Sequence, residues 1–331
     1  MTTQPAEAVP EVHVSRRPSL LALLALVGVT AVWGGTFVVV KDVTRDVSPM
    51  DFLAVRFLIA TAALAALRPR AVFTLSRKQL GHGVLLGLAL GSAYLAQTCG
   101  QQYTSASMSG FITGMSVVCT PVLAGLLLRH RIGRGTWGAV AMATVGLGVL
   151  SLRGFAIGPG EGLTLLCALF FALHIVGLSE WSTARDAHAL TVVQLGVVAV
   201  LCLVLGAPDG IDVPGEESFW LPVIGLAVVA TAAAYLVQTW AQARLPASAA
   251  AVVLTLEPVF AGFFGVLVAH DELSPRILLG AALVVGAMYL AEFRSAATKP
   301  EATRQSWESA CPDLSVPSEY PRRPTSKPRG R

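Results

Sequence analysis

Charge is what this chain has least of. Asp, Glu, Lys and Arg make up 13% of its 331 residues against 54% apolar ones, and its mean hydropathy is +0.66. A soluble domain does not carry that ratio, so the composition implies a polytopic membrane protein. Cysteine is also sparse. Cys99, Cys119, Cys167 and Cys202 lie in apolar runs and Cys311 in a polar tail, with no CxxC or Cys/His spacing. That pattern argues against a disulfide framework or a metal site and for small buried hydrophobes. No apolar run contains a lysine for a retinal Schiff base, and no P-loop is present, so nucleotide hydrolysis is not the driving force. Neither a nucleophile with its base nor a carboxylate and histidine cluster occurs, which argues against an intramembrane enzyme. No cofactor is implied. The net charge of +4 does not point to nucleic acid, because the basic residues sit in tails and short loops without aromatic partners.

What the chain has instead is ten apolar runs that meet or approach the roughly 20 residues of a membrane span. They cover 20–40, 50–67, 83–103, 106–128 and 136–152, then 162–178, 190–205, 219–241, 247–269 and 277–291. The pair Arg16–Arg17 resembles a twin-arginine signal, but the run after it is long enough to span and lacks a small-x-small cleavage site. It reads as an uncleaved first helix. With the N-terminus inside, the cytoplasmic side collects 19 of the 24 Lys and Arg and the outer side four, while Arg56 lies within the second span. That bias puts both termini in the cytoplasm. Residues 1–18 read as a tail, and 294–331, rich in Pro, Ser, Glu and Arg, as a disordered cytoplasmic tail.

An internal repeat organises the spans. At an offset of 141, AYLAQTCGQQYTSAS (93–107) matches AYLVQTWAQARLPAS (234–248) at eight of fifteen positions. Tyr94 pairs with Tyr235, Gln97 with Gln238 and Gln101 with Gln242. The expected fold is therefore all-α, ten transmembrane helices as two five-helix repeats, 19–152 and 162–293. Five is odd, so the second copy enters the membrane from the opposite side; inverted repeats are typical of secondary transporters, with substrate sites near the midplane. At an offset of 138, Arg56 falls opposite Gln194; at 141, Ser116 falls opposite Glu257, while Pro121 and Pro258 stagger by about a turn.

The stretch LTLEPVFAGFFGVLVAHDEL (254–273) holds the costliest pair of residues. A charge at the bilayer centre costs about 2.5–3.5 kcal/mol on insertion scales, and an interior proline about 3 kcal/mol. Glu257, about ten residues into its expected span, is either a proton site or an anchor for a substrate ammonium, or a buried carboxyl bonded to neighbouring helices. Arg56 either binds a substrate carboxylate, pairs with Glu257, or snorkels to the outer interface. Gln97, Gln101, Gln238 and Gln242 recur four apart on their helices, as cavity groups or interhelical hydrogen bonds. Trp33, Tyr94, Phe111, His174 and Tyr235 are candidate cavity walls, with core packing the alternative. Pro121 and Pro258 are candidate kinks. Glycines four apart, Gly83, Gly87 and Gly91, then Gly110 and Gly114, allow close helix approach.

VWGGTFVVVK (32–41), PMDFLAVRF (49–57), AQTCGQQYTSASMSGFITG (96–114) and the 254–273 stretch resemble signatures of the EamA family in the drug/metabolite transporter superfamily, over residues 20–293. The resemblance implies a ten-helix inner-membrane carrier, in many members an exporter of amino acids or related small metabolites, with a central cavity lined by helices 1, 3, 4, 6, 8 and 9. It implies a small-molecule substrate and contact with membrane lipid. The chain departs from the family where an acidic residue often ends both helix 4 and helix 9: it has Glu272 in the second copy and Arg131 in the first. A flippase for a lipid-linked substrate is the nearest alternative and calls for a laterally open groove with basic residues for a diphosphate. A channel is the more distant one, since rings of like charge are missing.

Overall fold

The computed structural model describes residues 20–127, 134–151, 158–182, 186–242, 253–272 and 274–290. Both tails and Arg131 lie outside the described residues. Helices α1 (Leu20–Val43), α2 (Pro49–Leu67) and α3 (Arg77–Gln101) come first. Next is α4, in two segments, Ala106–Gly114 and Ser116–Leu127, followed by α5 (Arg134–Ser151). In the second half, α6 (Pro159–Trp181) and α7 (Ala187–Gly206) lead to α8, which runs Glu217–Gly225, a π-helical stretch Leu226–Ala233, and Ala234–Gln242. Helices α9 (Glu257–Leu267) and α10 (Pro275–Leu290) complete the described chain. Among the described residues, seven helices are long and apolar enough to cross a membrane, and shorter apolar helices lie within α5, α9 and α10.

Local chemistry explains the starts. Pro49 opens α2 behind Ser48, whose side chain accepts from Asp51 N–H, and Pro159 opens α6, positions where a missing N–H costs nothing. Helix α3 begins six residues before its expected apolar run because Ser76 and Gln79 form a reciprocal capping box that carries a polar first turn. Side chains such as Leu85, Val200, Leu221 and Phe263 are exposed around the bundle, as a lipid-facing belt requires.

Two helices differ from the continuous spans expected of them. Helix α4 breaks at Met115, where Met115 N–H bonds to Ile112 O at 3.0 Å and Cys119 N–H to Met115 O at 2.9 Å. Before α9 the same break occurs: Leu256 N–H bonds to Val253 O at 3.0 Å and Phe260 N–H to Leu256 O at 2.9 Å. Every atom pair is displaced by the 141-residue offset of the repeat, so the discontinuity belongs to the duplicated unit. Glu257 consequently opens a helix rather than standing mid-helix, and Pro258 follows at a first-turn position. Pro121 lies inside the second segment of α4.

Packing is dominated by contacts between the two halves. Helix α3 packs on α6 and α7, α2 on α7 and the π stretch of α8, α1 on α8 and α9, and α4 on α6 and α9. Exchanging each helix for its partner five places on returns the same set, the signature of a pseudo-twofold axis. Close approach explains the glycines. A Cβ on Gly83, Gly87 or Gly91 would meet Val193, Val197 or Leu201 of α7 within 2.6–2.8 Å. In the same way a Cβ on Gly110 would run into Ala261 Cβ, so α4 and α9 meet nearly backbone to backbone.

Candidate functional site

The pseudo-twofold axis passes through a cluster of aromatic and polar side chains. Tyr94 of α3 and Tyr235 of α8, equivalent residues of the two repeats, bring their hydroxyls to 3.2 Å. Around them the symmetry continues. Trp33 of α1 lies 5.5 Å from the Tyr235 ring and Phe171 of α6 lies 5.4 Å from the Tyr94 ring, centroid to centroid. Phe171 stands 138 residues after Trp33, the offset that also relates Arg56 to Gln194.

Two charged residues break this symmetry. Arg56 of α2 is 2% exposed and does not reach outward to an interface. Its Nε donates to Thr231 Oγ1 at 2.9 Å, and Thr231 donates onward to Leu226 O at 2.9 Å, five residues back along the π stretch. The guanidinium carbon stands 5.3 Å from the Tyr94 ring centre, 5.6 Å from Phe57 and 6.0 Å from Phe52, within cation–π range. Glu257, half-buried at the start of α9, lies within electrostatic reach of Tyr94, Tyr235 and the Cys167 thiol. The Arg56 guanidinium likewise lies within electrostatic reach of both tyrosines. Arg56 and Glu257 do not form an ion pair with one another.

Gln97 extends the cluster towards α4, its Nε2 donating to Thr113 Oγ1 at 3.3 Å, and Thr113 also meets the Cys167 thiol. The helix breaks adjoin here. A Cβ on Gly114 would lie 3.0 Å from Pro258 Cγ, and Ser116 and Glu257 open the two segments beyond the breaks. Helix N-termini carry unpaired N–H groups and a positive dipole end, which favours an acidic side chain such as Glu257 in the first turn.

The remaining sequence candidates fall elsewhere. His174 and Gln194 lock α6 to α7, with His174 Nε2 donating to Gln194 Oε1 at 2.6 Å, while Gln194 Nε2 donates to Leu190 O at 3.2 Å. Phe111 packs where a Cβ on Gly262 would be, 2.8 Å from its ring, and lines an apolar groove of about 540 Å³ between α4, α9 and α10. Gln101 is 1% exposed and its Oε1 has no hydrogen-bond partner. Gln238 is half-buried on α8, and the side chain of Gln242 lies outside the described residues. Near the acidic position Glu272, the residue that crosses between repeats is Asp271, which accepts from Ser107 N–H at 2.9 Å. Thr113, Cys167, Phe171 and Thr231 join the cluster without being singled out by sequence; of these, only Phe171 had a signal, its equivalence to Trp33.

Comparison with known proteins agrees with this architecture. The family model described as "EamA-like transporter family" matches the chain twice, over residues 20–152 and 158–293. An uncharacterized transporter of Archaeoglobus fulgidus is 33% identical over 276 residues, covering 83% of this chain and 87% of that one. A protein of Salmonella typhimurium named as a probable amino-acid metabolite efflux pump is 23% identical over 300 residues, covering 84% and 96%. One solved crystal structure superposes with a TM-score of 0.58 at 19% identity, covering 82% of this chain and 96% of that one, a likeness of fold.

Proposed function

We propose, from the premise that the chain belongs to the EamA-like transporter family, that it is a secondary transporter exporting amino acids or related small metabolites across the inner membrane. It is an integral multi-pass membrane protein with relatives named as transporters, which favours transport over enzymatic chemistry. On this reading ten helices form two inverted repeats, 19–152 and 162–293, with both termini in the cytoplasm, and alternating access rocks one repeat against the other.

One observation carries the reading. Tyr94 and Tyr235 meet across the repeat axis at 3.2 Å, beside two opposite charges that are not spent on one another. An amino acid offers complementary groups: its carboxylate suits Arg56, its ammonium Glu257, and its side chain the walls formed by Trp33, Phe171 and the tyrosines. The name of the Salmonella relative points to the same substrate class. The lateral groove holding Phe111 is lined by apolar residues and glycine alone. It offers nothing to a diphosphate, which disfavours the flippase alternative.

Counterflow in proteoliposomes loaded with a panel of amino acids and related metabolites tests the proposal. Accumulation of labelled solute by the wild-type protein above protein-free liposomes is the expected result. Movement of no small solute at all refutes it.

A further inference from the structure

Helix α8 departs from its repeat partner in a way that the site depends on. Helix α3 is α-helical from Arg77 to Gln101, whereas α8 turns π-helical over Leu226–Ala233. The N-cap residues, Ser76 and Glu216, are 140 residues apart, but Tyr94 and Tyr235 are 141 apart. Between cap and tyrosine α8 therefore carries one residue more than α3, and a π turn is the way a helix absorbs an extra residue without breaking.

Side chains from the first repeat grip that stretch. Trp33 Nε1 donates to Ala230 O at 2.8 Å, and Arg56 Nε donates to Thr231 Oγ1 at 2.9 Å. The Thr231 hydroxyl, fully buried, donates in turn to Leu226 O at 2.9 Å, the five-residue reach of a π turn. The opposite face of the stretch, Val228 and Val229, is exposed where lipid would lie. Both grips thus come from the side of the site.

Building on the transport reading above, we propose that Trp33 and Thr231 are positioning residues. They hold the extra residue of α8 in its π turn, so that Tyr235 meets Tyr94 and the guanidinium of Arg56 lies over the Tyr94 ring. Losing one residue's worth of register would rotate the following segment by about 100° and shift it by about 1.5 Å. That movement carries the Tyr235 hydroxyl away from Tyr94 and takes Gln238 round with it. The π turn then sets which face of α8 lines the site.

The test needs a readout that does not depend on transport. The Trp33 indole N–H is identified in ¹⁵N-tryptophan spectra of the nanodisc-reconstituted protein as the one of six signals lost in Trp33→Phe. Thr231→Val removes the hydroxyl and keeps the shape, and Thr231→Ser keeps the hydroxyl. The expected result is that Trp33 indole hydrogen exchange quickens about tenfold in Thr231→Val, the worth of one hydrogen bond, and stays at the wild-type rate in Thr231→Ser. Counterflow of labelled amino acids is expected to fall at least about tenfold in Thr231→Val, with Thr231→Ser retaining it. Wild-type exchange in Thr231→Val overturns the proposal, as does wild-type counterflow in Thr231→Val. If the wild-type protein moves no amino acid, the transport reading fails, and indole exchange alone decides the positioning role.

Discussion

Replacing Arg56 by methionine separates stability from function. The side chain is 2% exposed, makes a 2.9 Å hydrogen bond to Thr231 and faces three aromatic rings. A hydrogen bond from a charged group contributes about 1.5–3 kcal/mol, and desolvated cation–π contacts about 2 kcal/mol more. Against these stands the cost of burying an unpaired cation, several kcal/mol. The terms nearly cancel, and Thr231 keeps a partner in Leu226 O. Arg56→Met is therefore expected to leave the thermal midpoint in detergent within a few degrees of wild type, or to raise it, as buried charges replaced by apolar groups often do. Transport behaves differently. If the guanidinium receives a substrate carboxylate, its loss removes about 1.5–3 kcal/mol of binding, or roughly 10–150-fold in apparent affinity. A thermal-shift assay run beside proteoliposome counterflow reads both quantities. Unchanged apparent affinity in Arg56→Met refutes the substrate role, and collapse of the fold refutes the energetic argument.

Other predictions follow from the packing. Gly110→Ala places a Cβ against Ala261 Cβ and should destabilise by about 1–3 kcal/mol, with Gly110→Val worse, measured as the detergent melting midpoint. Gln194→Leu leaves His174 buried without its 2.6 Å partner and should cost about 1–3 kcal/mol; the double variant His174→Leu/Gln194→Leu should recover much of that, because removing both partners removes the unmet group.

Much of the fold was legible in the sequence because hydrophobic run length and repeat similarity are strong signals. Tyr94 and Tyr235 were paired by alignment alone, and the structure brings them into contact. The helix breaks were not legible. Leu256 and Met115 lie within continuous apolar stretches, and the interruption is a change of hydrogen-bond pattern that leaves hydropathy untouched. Only the costly Glu257–Pro258 pair marked the place. The π stretch hides for the same reason, since LAVVATAA reads as any apolar helix and its extra residue appears only when the caps of α3 and α8 are compared. For Arg56, sequence left three destinations open. Long side chains near a helix end snorkel by default, and only the tertiary position of Thr231 on α8 turns this one inward.

We place the substrate site where the two broken helices meet, with Glu257 as its acidic group. The most direct test of that placement is counterflow by wild type and Glu257→Gln across a range of pH, since the amide keeps the shape and cannot titrate. Wild-type transport is expected to change with pH, and Glu257→Gln to be slow with a flat profile. A Glu257→Gln protein with the wild-type rate and the wild-type pH profile would contradict it.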